Sequence, residues 1–174
     1  MNTISTGPAE GARIVSFRSY LESNPDKATS TDSAAVATLD DDFRCRVVGS
    51  GTEVETDMPA NLGGVGTAPS PGWYLRAAAA SCCATAIALR AAESGIALAR
   101  LEVTATSTSD SRGMFGVGDA RPGPLSFALH VSIDAPDAEA HAIASLVDYA
   151  STHAPVGDAL QFATPIEIVL DLAD

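Results

Sequence analysis

Trp73-Tyr74-Leu75-Arg76-Ala77-Ala78-Ala79-Ala80-Ser81-Cys82-Cys83-Ala84-Thr85-Ala86-Ile87-Ala88-Leu89-Arg90-Ala91-Ala92 is one long alanine-rich apolar stretch with two adjacent thiols near its middle. Just upstream, Ser70-Pro71 makes a good helix start. Serine can accept from an orphan amide, and proline fixes the first helical φ without losing a needed donor. Gly95 is the matching stop. The spacing predicts a helix over about 71–94, roughly 36 Å long at 1.5 Å per residue. Its small side chains let neighbouring backbones approach closely, so it should be central and buried. Arg76, Arg90 and Glu93 flank or interrupt the run, which argues for a core helix over a membrane span.

Outward from this helix the pattern alternates between short strands and helices. Ile14, Phe17 and Leu21 fall at helical spacing within residues 12–22, before Asn24-Pro25 stops the run. Ala34–Leu39 and Phe43–Val48 are β-prone with Asp40-Asp41-Asp42 as the turn between them, and Thr52–Thr56 follows a Gly49-Ser50-Gly51 turn. Leu101–Ser107 and Leu125–Ile133 read as strands on either side of a glycine- and proline-rich connection, long enough to be a binding loop or simply a mobile one. Asp137–Tyr149 carries Ala140, Ile143, Ala144 and Val147 at helical spacing, and Pro165–Leu172 reads as a final strand. Strands, long helix, strands, helix, strand is an α+β order, with antiparallel sheet packed on helices.

The 174 residues suit one domain with a substantial core. At 46% hydrophobic and 18% charged the chain is too apolar for general disorder. A formal net charge of −12 repels nucleic-acid backbones and anionic membrane surfaces, so neither is an expected partner. The first ten residues lack the basic and apolar segments of a secretory signal, and three cysteines, two of them adjacent, do not make a disulfide framework. The expectation is a cytoplasmic protein with reduced thiols.

Cys82 and Cys83 are the residues in an unusual setting. On a helical wheel Cys82 shares a stripe with Leu75, Ala78, Ala79, Ala86 and Leu89, and Cys83 with Arg76, Ala79, Ala80, Ile87 and Arg90. The thiols point about 100° apart, Cys82 toward the drier side and Cys83 toward the cations. Arg76 and Arg90 each lie two turns from Cys83, about 10 Å along the axis, so an activating arginine would come from elsewhere. Arg44 and Arg46 alternate with Phe43, Cys45 and Val47 and so project from one strand face. For that pair a solvated sheet face and an active-site role both stay open, the former being the commoner setting for arginine. For the two cysteines the alternative to chemistry is a place among small core residues. A Cys82–Cys83 disulfide does not fit adjacent helical positions. His130, His141 and His153 are scattered without metal-site spacing. Gly63-Gly64-Val65-Gly66 lacks the remainder of a nucleotide-binding loop. No metal or cofactor is expected.

From about residue 28 onward the chain resembles the OsmC/Ohr superfamily, the osmotically inducible and organic hydroperoxide resistance proteins. The residues that carry the likeness are Thr56-Asp57-Met58-Pro59 with Leu62-Gly63-Gly64, Ala68-Pro69-Ser70-Pro71 opening the helix that reaches Ser81-Cys82, and Thr152-His153-Ala154-Pro155-Val156. The resemblance implies an intertwined homodimer with its long helices buried between sheets, in which a cysteine reduces organic hydroperoxides at the subunit interface. Residues 1–27 would then be an N-terminal helical extension and 28–174 the OsmC-like domain. Cys82, eleven positions after Pro71, matches the family's peroxide-attacking cysteine, and an early-strand arginine, Arg44 or Arg46, would activate it. Two usual parts are replaced: Gly72 stands where a glutamate follows the proline, and Ala154 where the resolving cysteine precedes Pro155-Val156. The expected function is a one-cysteine thiol peroxidase acting on organic hydroperoxides. An external thiol would restore Cys82, since Cys83 is awkwardly placed. The rival is a catalytically silent dimer that binds a small apolar ligand or serves a structural role.

Overall fold

The computed structural model describes residues 8–162 and 164–172. Helix α1 (Pro8–Ser23) leads into strands β1 (Val36–Leu39), β2 (Cys45–Gly49) and β3 (Thr52–Thr56). These pair as an antiparallel meander with Val47 opposite both Ala37 and Val54. Helix α2 (Pro71–Glu93) follows, then a hairpin of β4 (Arg100–Thr108) and β5 (Ser126–Asp134) whose connection includes the one-turn α3 (Ser111–Met114). Helices α4 (Ala140–His153) and α5 (Pro155–Gln161) come last. The mixed α+β architecture and the long helix agree with the sequence pattern.

Local chemistry explains the placement of α2. The Ser70 Oγ accepts from the Trp73 amide at 3.3 Å, and Pro71 occupies the first turn. The approach to this cap is fixed by Asp57, which is 2% exposed. Its carboxylate accepts from the amides of Met58 (2.7 Å), Thr67 (2.8 Å) and Val65 (3.4 Å) and from the Thr67 hydroxyl (3.1 Å). The Thr67 amide does most to hold the Asp57 carboxyl below its ordinary pKa, against the opposing effect of burial. Gly64 completes this turn, because a Cβ there would lie 1.9 Å from the Met58 carbonyl oxygen.

The core gathers where α2 meets α4 and the β4–β5 hairpin. Ile87, Leu98 and Leu146 are its largest fully buried apolar side chains. On β4, half-buried Leu101, Val103, Ala105 and Ser107 alternate with exposed residues, the period of a sheet with one covered face. Although α2 is long and apolar enough to cross a membrane, Ala79, Cys83, Ala86, Ile87, Ala91 and Ala92 are buried within the fold. Helix α1 lies across its C-terminal end: a Cβ on Gly11 would come 2.3 Å from the Ala92 carbonyl oxygen, and Arg18 pairs with Glu93.

Three details differ from the sequence expectation. The first hairpin turns through Asp41–Phe43, with Asp42 and Phe43 at positive φ, so β2 begins at Cys45, two residues later than expected. A separate helix, α5, follows α4 because Ala154, extended at ψ 112°, breaks the chain direction and Pro155 restarts it. Finally, 165–172 forms no strand. A strand exists only as one side of a hydrogen-bonded ladder, and no described residue of this chain pairs with the tail. Its Ile166, Ile168, Leu170 and Leu172 stand 77–90% exposed.

Candidate functional site

The middle of α2 brings Cys82 against the start of α5. The Cys82 Sγ accepts from the Val156 amide at 3.5 Å, a long contact of the length sulfur makes. First-turn amides of a helix have no intrahelical partner, so Pro155 at the start of α5 leaves the Val156 N–H free to face the sulfur. Reading the sequence misses this backbone donor, although Pro155 carries the signal: a proline that begins a helix predicts unpaired amides just after it. Cys82 is half-buried, so its thiol meets both the donor and the surroundings.

Cys83 occupies the opposite environment. It is 6% exposed and belongs to the core cluster with Ile87, Leu98, Leu146 and Ala150. Burial pushes its thiol pKa up, and the neighbouring Cys82 adds to the effect. A thiol held protonated is a poor nucleophile. The wheel expectation is thus reversed: Cys83 takes the dry side and Cys82 the more open one. Neither nearby cation serves Cys83, because Arg76 donates to the Ser107 hydroxyl at 3.2 Å, while Arg90 pairs with Glu93 at 2.6 Å and lies over the Tyr149 ring.

Arg44 and Arg46 also part company. Arg44 precedes β2 within the tight turn, with its carbonyl accepting from the Asp40 amide at 2.7 Å. Its Nε is buried without a hydrogen-bond partner. Arg46 is exposed and pairs loosely with Glu53 at 3.4 Å. Among the described residues no hydrogen bond or ion pair joins either arginine to Cys82 or Cys83. The fold therefore unites Cys82 with Val156, sets Cys83 behind it in the core, and leaves the arginines apart from both.

Gly72 is exposed at the start of α2, with only ordinary contacts within 4 Å of where a Cβ would stand. Ten residues of helix separate it from Cys82, about 15 Å along the axis. Ala154 is 5% exposed at the junction of α4 and α5, two residues before the amide that meets Cys82. Among the described residues no three His, Cys, Asp or Glu side chains gather as a metal site would require. The three histidines are exposed, and His153 stacks on Tyr149 with ring centroids 4.0 Å apart.

Residues 64–169 match the family model described as OsmC-like protein. Among solved structures, an OsmC-like protein from Mycoplasma pneumoniae aligns with TM-score 0.65 and 20% identity over 78% of this chain and 91% of its own. An organic hydroperoxide resistance protein OsmC from Legionella pneumophila aligns with TM-score 0.54 and 21% identity over 76% and 91%. The Bacillus subtilis organic hydroperoxide resistance protein OhrB aligns with TM-score 0.51 and 17% identity over 76% and 93%. At these identities the likeness concerns the fold. No curated protein matches the chain. The family model spans well over half of the sequence, and with the strand, helix and cysteine order described above it shows that this chain belongs to the OsmC-like protein family.

Proposed function

We propose that the protein is a thiol peroxidase that reduces organic hydroperoxides through the single peroxidatic cysteine Cys82. The observation that carries this reading is the half-open Cys82 sulfur placed against the Val156 amide. The sulfur is open to a small molecule on one side and held by a backbone donor on the other. The thiolate attacks the peroxide O–O bond, forming a Cys82 S–O bond, while the departing alkoxide takes a proton and leaves as the alcohol. The resulting sulfenic acid is reduced by two equivalents of an external thiol, which become a disulfide as water leaves. Cys83 takes no part in this cycle, since it is buried and its thiol stays protonated. A reducing cytoplasmic setting would supply the external thiol.

The same reading makes the working unit a homodimer. The apolar tail 166–172 and the exposed Trp73, Leu75 and Leu89 of α2 are surfaces a second copy would cover. A group at position 72 or at Arg44 would then act on a Cys82 across the interface, which accounts for the 15 Å separation within one helix. The orphaned Nε of Arg44 favours it over Arg46 as the activating cation. In this scheme the chain divides into an N-terminal extension over 1–27 and the 28–174 domain.

A second reading, a catalytically silent dimer, draws on Gly72 and Ala154, which replace two usual parts of the reaction. Steady-state consumption of cumene hydroperoxide with dithiothreitol separates the two. Turnover that depends on Cys82 supports the peroxidase, and consumption unchanged by Cys82→Ser leaves the silent dimer.

A further inference from the structure

A second feature lies behind Cys82. Between the inner face of β5 and the helices α2, α4 and α5 there is a cavity of about 370 Å³, open on one side. Its walls are Phe127, Leu129, Val131, Val147 and Leu160. It exists because the helical positions facing those bulky strand residues are small: Ala79, Cys83, Ala150, Ala154 and Gly157. Buried Ala79, Cys83, Ala150 and Ala154 form its floor, and exposed Ser151 and Gln161 stand at its mouth. Cys82 does not line it.

We propose that this cavity is a binding site, within one subunit, for an uncharged amphiphile with a single unbranched alkyl chain. The size fits: at about 30 Å³ per water-sized group, the space takes roughly twelve non-hydrogen atoms, the length of a medium-chain alcohol or amide. Apolar walls with a few polar groups at one end are the usual form of a small-molecule site. Charge sets the head group. None of the lining residues is charged, so nothing at the mouth compensates a carboxylate or an ammonium group, and the net charge of −12 repels a carboxylate further. An amide and a hydroxyl remain. The Gln161 amide nitrogen makes only long bonds, 3.3 Å to the Gly157 carbonyl and 3.5 Å to the Ser151 carbonyl, and can turn to a neutral head group with little loss. The site is distinct from the Cys82 sulfur, which does not line it, and its floor thiol Cys83 reports on it.

The test uses the full chain with Cys45→Ser and Cys82→Ser, so that Cys83 is the sole thiol, labelled by methyl methanethiolsulfonate and followed by intact mass. 1-Octanol at ten times its dissociation constant should slow labelling about tenfold by mass action, while octanoate should protect far less. Ala154→Leu, which fills the floor, should slow labelling and abolish the effect of octanol. Should that variant fail to fold, the surface change Gln161→Lys decides the matter, because a cation at the mouth should raise octanoate protection toward that of octanol. Labelling indifferent to octanol, or unobservable in the native protein even at a pH above the raised thiol pKa because another copy of the chain fills the space, would overturn the proposal. Equal protection by octanoate and octanol in the unmodified mouth would overturn the choice of a neutral head group. Retained hydroperoxide consumption by the otherwise unaltered protein would show that the Cys82 reading stands regardless.

Discussion

Cys82 and Cys83 are the same residue type, joined by one peptide bond on one helix, yet their surroundings differ in every respect that governs thiol chemistry. Cys82 is half-buried and touches a backbone donor; Cys83 is 6% exposed, packed among apolar side chains, with its thiol held protonated. A rotation of about 100° about the helix axis separates the two. The comparison teaches that each thiol's environment is set by which element packs against its face of α2: the start of α5 against one, the core and the cavity against the other.

The sharpest test removes the segment through which the proposed homodimer would form. If the exposed apolar tail packs on a second copy as proposed, deleting residues 165–172 should leave a monomer, read as mass by sedimentation equilibrium. A truncated chain that still dimerises would place the interface elsewhere. Next in size is Ala154→Cys, which puts a thiol at the α4–α5 junction two residues before the amide that meets Cys82. It should divert the sulfenic acid into a disulfide between Cys82 and the introduced thiol, cutting dimedone labelling at Cys82 by about tenfold or more, as an intramolecular thiol outcompetes one in solution. Persistent labelling would show that the junction does not bring the two sulfurs within the roughly 4.4–6.8 Å Cα separation that disulfides need.

Smaller effects sharpen the picture. Gly72→Glu meets no steric obstacle and should raise the rate of Cys82 oxidation about twofold to thirteenfold, the range corresponding to a net hydrogen-bond gain of roughly 0.5–1.5 kcal/mol. An unchanged rate would separate position 72 from the arginine. The smallest effect concerns the Asp57 turn. Its carboxyl has a folded pKa below the unfolded value of about 3.9, so its contribution is present above that pH and fades as the pH falls through the folded pKa. Asp57→Asn should therefore lower the melting temperature most at neutral pH, with the gap to the parent closing on acidification. A gap independent of pH would mean that shape, and not charge, holds the turn.

Much of the fold is legible in the sequence because local chemistry and long-range packing agree. Ser70-Pro71 marks the start of α2 to the residue, and two-residue alternation locates β4 and β5 within one or two positions. The tail fails as a strand because its alternation of Ile166, Ile168 and Leu170 specifies a face without supplying an edge. The site is harder. An alanine-rich helix is apolar on all sides, so its wheel does not announce which stripe is buried, and it assigns Cys82 and Cys83 to each other's faces. Arg44 and Arg46 look equivalent until the positive-φ turn at Asp42-Phe43 removes Arg44 from the regular strand. The Val156 donor belongs to backbone geometry, which residue type alone conceals.

The most direct test exposes the intact protein to cumene hydroperoxide with dimedone present and locates the adduct by mass spectrometry, beside Cys82→Ser and Cys83→Ser. The account predicts rapid labelling at Cys82, lost in Cys82→Ser and unchanged within about twofold in Cys83→Ser, as expected when a residue lies outside the reaction. Labelling no faster than that of a free thiol, or labelling that follows Cys83, would contradict it.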